Sequence, residues 1–416
     1  MAARIAGQCR GNNEQMGREL VKEFVGDERH MKIGFDISQT GNNKAGCGYF
    51  ADSLIQALMN YDGVNEYILY PHFGTSFWDP KGESTTRRFD HPHVTRKTIA
   101  RDFAKSMAFW GNLPDDGEEE LGNPDIIHSN NYSCPRGLRQ ARLVYTLYDL
   151  SFVEYPDLTT EENRVKCFEG VFSASIYADF IVSISHYSRS KFLEIFPHFP
   201  DKRIRVVPLG SRFSQEKTGR GRGQVLEGLR GGEFWLAVGT LEPRKNLRRL
   251  LRAFSGYVRQ SNSPRPLAIA GGKGWLEEDL KEFIQALDLS SHVLILGYVS
   301  DRELAWLYRN CFCFVYPSLY EGFGLPVLEA MGQSAAVITS NGTSLPEVAG
   351  DAAHYIDPFD EHDMAGAFLK LASDGGYRQA LREKAVIQAE KFSWEKSAEE
   401  VLHIYDEVMT LPKFAP

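Results

Sequence analysis

The chain has 416 residues, 43% apolar and 25% charged, with a net charge of −8. That length exceeds what one compact core accommodates and predicts two domains, while the acidic balance argues against a nucleic-acid partner, which needs a basic field. No stretch reaches the roughly 18 apolar residues that span a bilayer, and no apolar signal-peptide core opens the chain. The six cysteines form no C-x-x-C pair, so a cytoplasmic protein, soluble or peripherally associated with a membrane, is expected.

Residues 1–30 are polar and weakly patterned, and are read as a poorly ordered extension. From Met31 short β-rich runs alternate with helical periods. KIGFDI (32–37) reads as a buried strand. It is followed by the glycine-rich loop TGNNKAGCGYF (40–50) and a helix over 49–60. Further strands are expected at 67–71, 125–129, 143–149, 181–185 and 204–210. The segment 96–111 carries Ile99, Phe103 and Met107 at helical spacing. It reads either as an edge helix packed on its own domain or as an interfacial helix meeting a membrane. Residues 211–232, rich in Gly and Arg, read as an interdomain linker. The rhythm then restarts with runs at 234–240, 266–271, 293–298, 311–317 and 336–340. The last segment, 393–409, has Ser393 as an N-cap and Val401, Ile404, Tyr405 and Val408 as one apolar stripe. Alternation of this kind predicts an α/β fold: two doubly wound, Rossmann-like parallel sheets facing a cleft, over 31–210 and 233–391, with 392–416 crossing back to the first domain.

Two stretches carry chemistry. In SLYEGFGLPVLEAM (318–331) the strand ends at Pro317 and a helix starts near Leu325, with Pro326 in its first turn. Gly322 and Gly324 let the backbone approach a ligand, and the helix start adds a positive dipole end suited to a diphosphate. Glu321 and Glu329, placed so near an anion site, make sense as acceptors for sugar and ribose hydroxyls. In VGTLEPRKNLRRLLRAF (238–254), Arg244 and Lys245 fall in another strand-to-helix loop on the same rim, with Asn246 as helix cap. Two cations there can neutralise a diphosphate leaving group.

EGFGLPVLEAM together with GTLEPRKN resembles the carboxyl half of the retaining, nucleotide-sugar-dependent glycosyltransferases of family 4, which have the two-Rossmann GT-B architecture. GGKGW (271–275), LGYVSDRELAWLY (296–308) and SNGTSLPEVAGDAAHYIDP (340–358) extend the likeness over about residues 31–410. The resemblance implies that Glu321 contacts hydroxyls of the transferred sugar and Glu329 the ribose. Backbone amides of Gly322, Phe323, Gly324 and Leu325 would touch sugar and phosphate, Arg244 and Lys245 the departing diphosphate, and Tyr298 and Val299 the nucleobase. It implies retention of configuration, with no cofactor and no metal, since Lys and Arg take the place of Mg²⁺. The donor would be a nucleoside diphosphate sugar, mannose being the first expectation, and the acceptor a glycan or lipid-linked glycan of a surface polysaccharide.

The amino half matches less sharply. Gly46 and Gly48, flanking Cys47, would approach the diphosphate or acceptor, or belong to a plain flexible loop. Tyr148-Asp149 stands where many relatives show a His-Asp pair. Tyrosine cannot act as a base near neutral pH, so Tyr148 is expected to bind through hydroxyl and ring, to pack at a strand end, or to leave the polar role to Asp149 or His128. Two alternatives follow: a nucleotide-sugar epimerase of the same architecture, and a non-catalytic nucleotide-sugar-binding subunit.

Overall fold

Apolar runs buried on both faces favour parallel strands covered by helices on each side, and both sheets take that form. The structure, a computed structural model, describes residues 30–41, 44, 46–74, 91–99, 102–213, 229–272 and 277–414. The extension before residue 30, most of the expected linker (214–228) and the 273–275 part of GGKGW lie outside the described residues. Strands β1 (Lys32–Asp36), β2 (Glu66–Tyr70), β3 (Val94–Arg96), β4 (Ile126–Ser129), β5 (Arg142–Leu147), β6 (Phe180–Ser183) and β7 (Ile204–Val206) make the first sheet. The second holds β8 (Trp235–Val238), β9 (Leu267–Ala270), β10 (Val293–Gly297), β11 (Cys313–Tyr316), β12 (Val337–Ser340) and β13 (His354–Ile356).

The orders are β3-β2-β1-β4-β5-β6-β7 and β10-β9-β8-β11-β12-β13, with every neighbour parallel. Each order reverses once, between β1 and β4 and between β8 and β11. At such a switch point the adjoining loops part and leave a crevice at the carboxyl ends of the strands. This is the GT-B arrangement of two Rossmann-like domains. Among the described residues no helix is long and apolar enough to cross a membrane.

Two short edge strands, β3 and β13, have no counterpart among the expected runs. With β3 ending at Arg96, the single helix expected from 96 does not form. A helix runs over Phe103–Gly111 instead, capped by Asp102, whose carboxylate accepts from the Lys105 amide at 3.0 Å. Ile99 lies outside that helix and Met107 is exposed, while Ser106 and Trp110 are buried. The expected stripe of Ile99, Phe103 and Met107 is therefore not one helical face.

The last helix, Trp394–Thr410, is capped by Ser393 and buries Val401, Ile404, Tyr405 and Val408. It packs on the helix Gly46–Tyr61 of the first domain. Burial on this scale is worth about 1.5–3 kcal/mol per large side chain. The tail beyond is pinned to the same domain. Arg142 donates to the Leu411 carbonyl (2.8 Å), Arg203 to that of Pro412 (2.7 Å), and the Phe414 amide to buried Asp179 (2.7 Å).

Candidate active site

Two loops leave the switch point of the second sheet, one after β8 and one after β11. After β8 a single 3₁₀ turn, Pro243–Lys245, presents Arg244 and Lys245. Asn246 does not cap the following helix with its side chain. Its backbone is left-handed (φ 60°), which turns the amide away from the helix start. The amide donates instead to the carbonyls of Pro317 (3.1 Å) and Pro358 (2.7 Å), stitching this loop to the ends of two other segments. The Leu319 amide donates to the Arg244 carbonyl at 2.9 Å, which ties the two loops together.

This stitching joins the two chemical stretches into one cluster. Lys245 Nζ lies 2.6 Å from Glu321 Oε1 and 2.7 Å from Tyr316 Oη, which donates to the same carboxylate oxygen at 2.8 Å. Arg244 binds Glu321 Oε2 (2.7 Å) and Glu242 (2.7 Å), and donates to the Tyr320 carbonyl (3.0 Å). The Lys245 and Glu321 side chains are only 10% and 8% exposed. Burial would push the Glu321 carboxyl up, but Arg244 and Lys245 outweigh it and hold the group down at about 2. Burial pushes Lys245 down, Arg244 adds to that, and Glu321 only partly offsets the two. Burial works against both charges, but Glu321 has two cations beside it, whereas Lys245 has a cation, Arg244, competing with the acids around it. Glu242 and Tyr316 were missed from sequence. Glu242 stands two residues before Arg244 in the motif itself, whereas Tyr316 gives no signal beyond ending a strand.

Gly324 (φ 107°) adopts a backbone that side chains rarely take, and it opens the helix Leu325–Gly332. The amides from Gly322 through Leu325 thus line the approach to a helix start, where N–H groups lack intrahelical acceptors. Glu329, one turn inside, has no exposed surface. Arg212 holds it with Nε on Oε1 and Nη2 on Oε2 (2.9 Å), and Tyr308 Oη donates to Oε2 at 3.3 Å. Neither partner was foreseen; Arg212 lies at the edge of the expected linker. Tyr298 is 70% exposed at the carboxyl end of β10, while the Val299 side chain is buried in the core.

The first-domain residues are placed less as expected. The Gly46–Tyr61 helix begins at Gly46, which has open space around it. At Gly48 a side chain would strike the Gln39 carbonyl, so its smallness serves the domain's own loop. Tyr148 is buried and donates to the Asn130 carbonyl at 2.7 Å, its ring edge-on to Phe50. Its hydroxyl proton is thereby spent inside the domain. His128 is wholly buried, with Nδ1 2.6 Å from Tyr405 Oη and Nε2 2.9 Å from Thr146 Oγ1; burial pushes it down to about 3. Both nitrogens face the interior, because strand alternation turns this side chain under the last helix rather than toward the cleft. Asp149 caps its own turn, accepting from Ser151 N (3.0 Å) and Oγ (2.8 Å), and lies beside Gly322 of the second domain.

At the first switch point sequence reasoning also missed Asp36. Its carboxylate accepts from Ser38 N and Oγ, from the Asn130 amide and from Asn131 Nδ2, at 2.6–3.0 Å. Burial pushes it up to about 7 against those bonds. The network fixes the loop after β4, on which Tyr148 leans.

The two rims touch. A Cβ at Gly322 would lie 2.6 Å from the Tyr148 carbonyl oxygen and 3.3 Å from Asp149 Oδ2. Beside that contact, Glu347 of the second domain accepts from the His186 (2.7 Å) and Tyr187 (2.6 Å) amides, capping the first-domain helix His186–Ile195. Among the described residues no group of three or more His, Cys, Asp or Glu side chains converges as a metal site.

Comparison with known proteins finds relatives by sequence and by fold. Residues 228–388 match the family described as glycosyl transferases group 1. The chain is 34% identical over 286 residues to O-antigen chain mannosyltransferase B of Escherichia coli, covering 67% of this chain and 74% of that protein. It is also 34% identical over 227 residues to the serotype-specific mannosyltransferase WbdA of Escherichia coli, spanning 28% of that longer protein. Among solved structures, sucrose-phosphate synthase of Thermosynechococcus elongatus superposes with a TM-score of 0.71 at 18% identity, over 91% of this chain and 99% of that one. HepE of Anabaena, solved in complex with UDP-glucose, gives 0.66 at 17% identity, over 92% and 100%.

Proposed function

The chain belongs to the group 1 glycosyl transferases, and from that premise we propose that it transfers mannose, with retention, from a nucleoside diphosphate sugar to a glycan or lipid-linked glycan. The observation that carries this reading is the buried cluster of Arg244, Lys245 and Glu321 beside a glycine-led helix start. A diphosphate leaving group gains one negative charge as the bond to the sugar carbon breaks, and such charge is stabilised best by fixed, desolvated cations. Glu321, ionised at any working pH, has one acceptor position left beside Lys245, Tyr316 and Arg244 for a hydrogen bond from a hydroxyl of the sugar ring, and Glu329 is assigned the ribose. Tyr298 offers its exposed ring to the base. The bond from the sugar's anomeric carbon to the diphosphate oxygen breaks. The acceptor oxygen bonds to that carbon on the same face, and its proton passes to the departing diphosphate. No side-chain base is required, which suits a chain carrying Tyr148 where relatives show His. Arg244 and Lys245 take the charge without a metal. Mannose is favoured by the names of the relatives, and a lipid-linked acceptor would bring the protein to the inner face of a membrane.

The test is a transfer assay with GDP-mannose and a mannoside acceptor, the product's anomeric configuration read by NMR. Acceptor-dependent release of GDP with an α-linked product is expected, and Glu321→Ala should abolish it without loss of fold. A β-linked product would end the retaining assignment. Wild-type turnover in Glu321→Ala would remove that residue from the site.

A further inference from the structure

The carboxylate assigned to the ribose is already occupied. A carboxylate offers about four acceptor positions. Arg212 Nε takes one on Oε1 of Glu329, and Arg212 Nη2 and Tyr308 Oη take both on Oε2. A vicinal diol needs two, and the group has no exposed surface through which to meet one. One partner must leave. Tyr308 is buried in the core with its ring edge-on to Phe314. Arg212 is the more exposed of the two, its side chain 16% accessible, and it has other contacts to keep. Its guanidinium lies 4.1 Å over the Tyr49 ring and 5.1 Å over that of Phe213, with Nη1 3.3 Å from exposed Asp301. A guanidinium stacked on an aromatic face and beside a second acid keeps much of its stabilisation when one ion pair opens.

We propose that Arg212 is a positioning residue that guards the ribose site, holding Glu329 in the structure seen here and swinging aside toward Asp301 and Tyr49 when a vicinal diol takes the carboxylate. This rests on the reading that Glu329 receives the ribose. Ribose binding then carries the cost of opening a buried ion pair, and a nucleotide without the diol escapes that cost.

The experiment compares affinities of guanosine and uridine diphosphates with their 2′,3′-dideoxy forms, by calorimetry, in the wild type, Arg212→Ala and Arg212→Gln. Arg212→Gln keeps an amide donor for the buried acid and guards against a variant that fails to fold. The ribo-over-dideoxy preference should rise on the order of tenfold in Arg212→Ala and less in Arg212→Gln, through tighter ribonucleotide binding with the dideoxy affinity unchanged. An equal preference in all three proteins, or a smaller one in the variants, overturns the guarding role while leaving Glu329 at the ribose. Absence of any preference in the wild type and both variants removes Glu329 from the ribose, and the proposal goes with it.

Discussion

Glu321 accepts from Lys245, Arg244 and Tyr316 together, and this sets how the site answers to acid. Its carboxyl stands at about 2 in the folded protein against 4.5 ordinarily. A depressed acid stabilises the fold above its unfolded value and loses that contribution as pH falls toward the folded one. Between about pH 5 and pH 2 the wild type should lose roughly 3 kcal/mol more stability than Glu321→Gln, read by urea unfolding at stepped pH. Parallel losses in the two proteins would mean the ion cluster contributes nothing. For catalysis Lys245→Ala is the sharper probe: kcat should fall about a hundredfold, near 3 kcal/mol, because in the proposed reaction its charge matters most as the diphosphate departs. A change confined to KM would make it a ground-state ligand instead.

At the scale of elements, the glycine turn between β11 and the helix Leu325–Gly332 serves two neighbours. In the proposed reaction its amides line the approach of the diphosphate, and Gly322 lets the other domain's Tyr148-Asp149 turn come within contact. Gly322→Ala should therefore lower transfer at least about tenfold while nucleotide affinity stays within about twofold, since the clash lies between domains rather than on the donor side. Unchanged turnover would show that the rims need not meet. The repeating strands were legible because each is a buried apolar run, and the final helix because its stripe and Ser393 cap agree. The misses share a cause. Three-residue edge strands such as β3 and β13 have too few buried positions for a pattern, and β3 took Arg96 out of a segment whose spacing looked helical. Asn246 had the right residue type for a cap, but Asn also tolerates a left-handed backbone, and the type alone does not choose between the two.

Across the whole molecule, several contacts among the described residues join the two domains. Glu347 reaches from the second domain to cap a first-domain helix, Tyr320 packs between Tyr155 and Tyr187, and the last helix ties the carboxyl end to the first sheet. Losing a helix cap costs about 1 kcal/mol, and a cap that bridges domains charges that cost to closure. Glu347→Ala should shift the balance toward an open form about fivefold, seen as a larger radius of gyration by X-ray scattering and slower turnover. An unchanged radius with unchanged turnover would make the contact incidental.

Composition, apolar rhythm and two loop motifs determined by themselves that this is a two-domain α/β protein with its charged loops on one rim, because periodicity and glycine placement are local properties of the chain. Which groups meet is not local. Only the folded structure paired Glu321 with Lys245 and Glu329 with Arg212, residues 76 and 117 positions apart, and turned His128 inward. Those pairings follow from strand order and from the seating of one domain against the other, and they exist only once the chain has closed on itself.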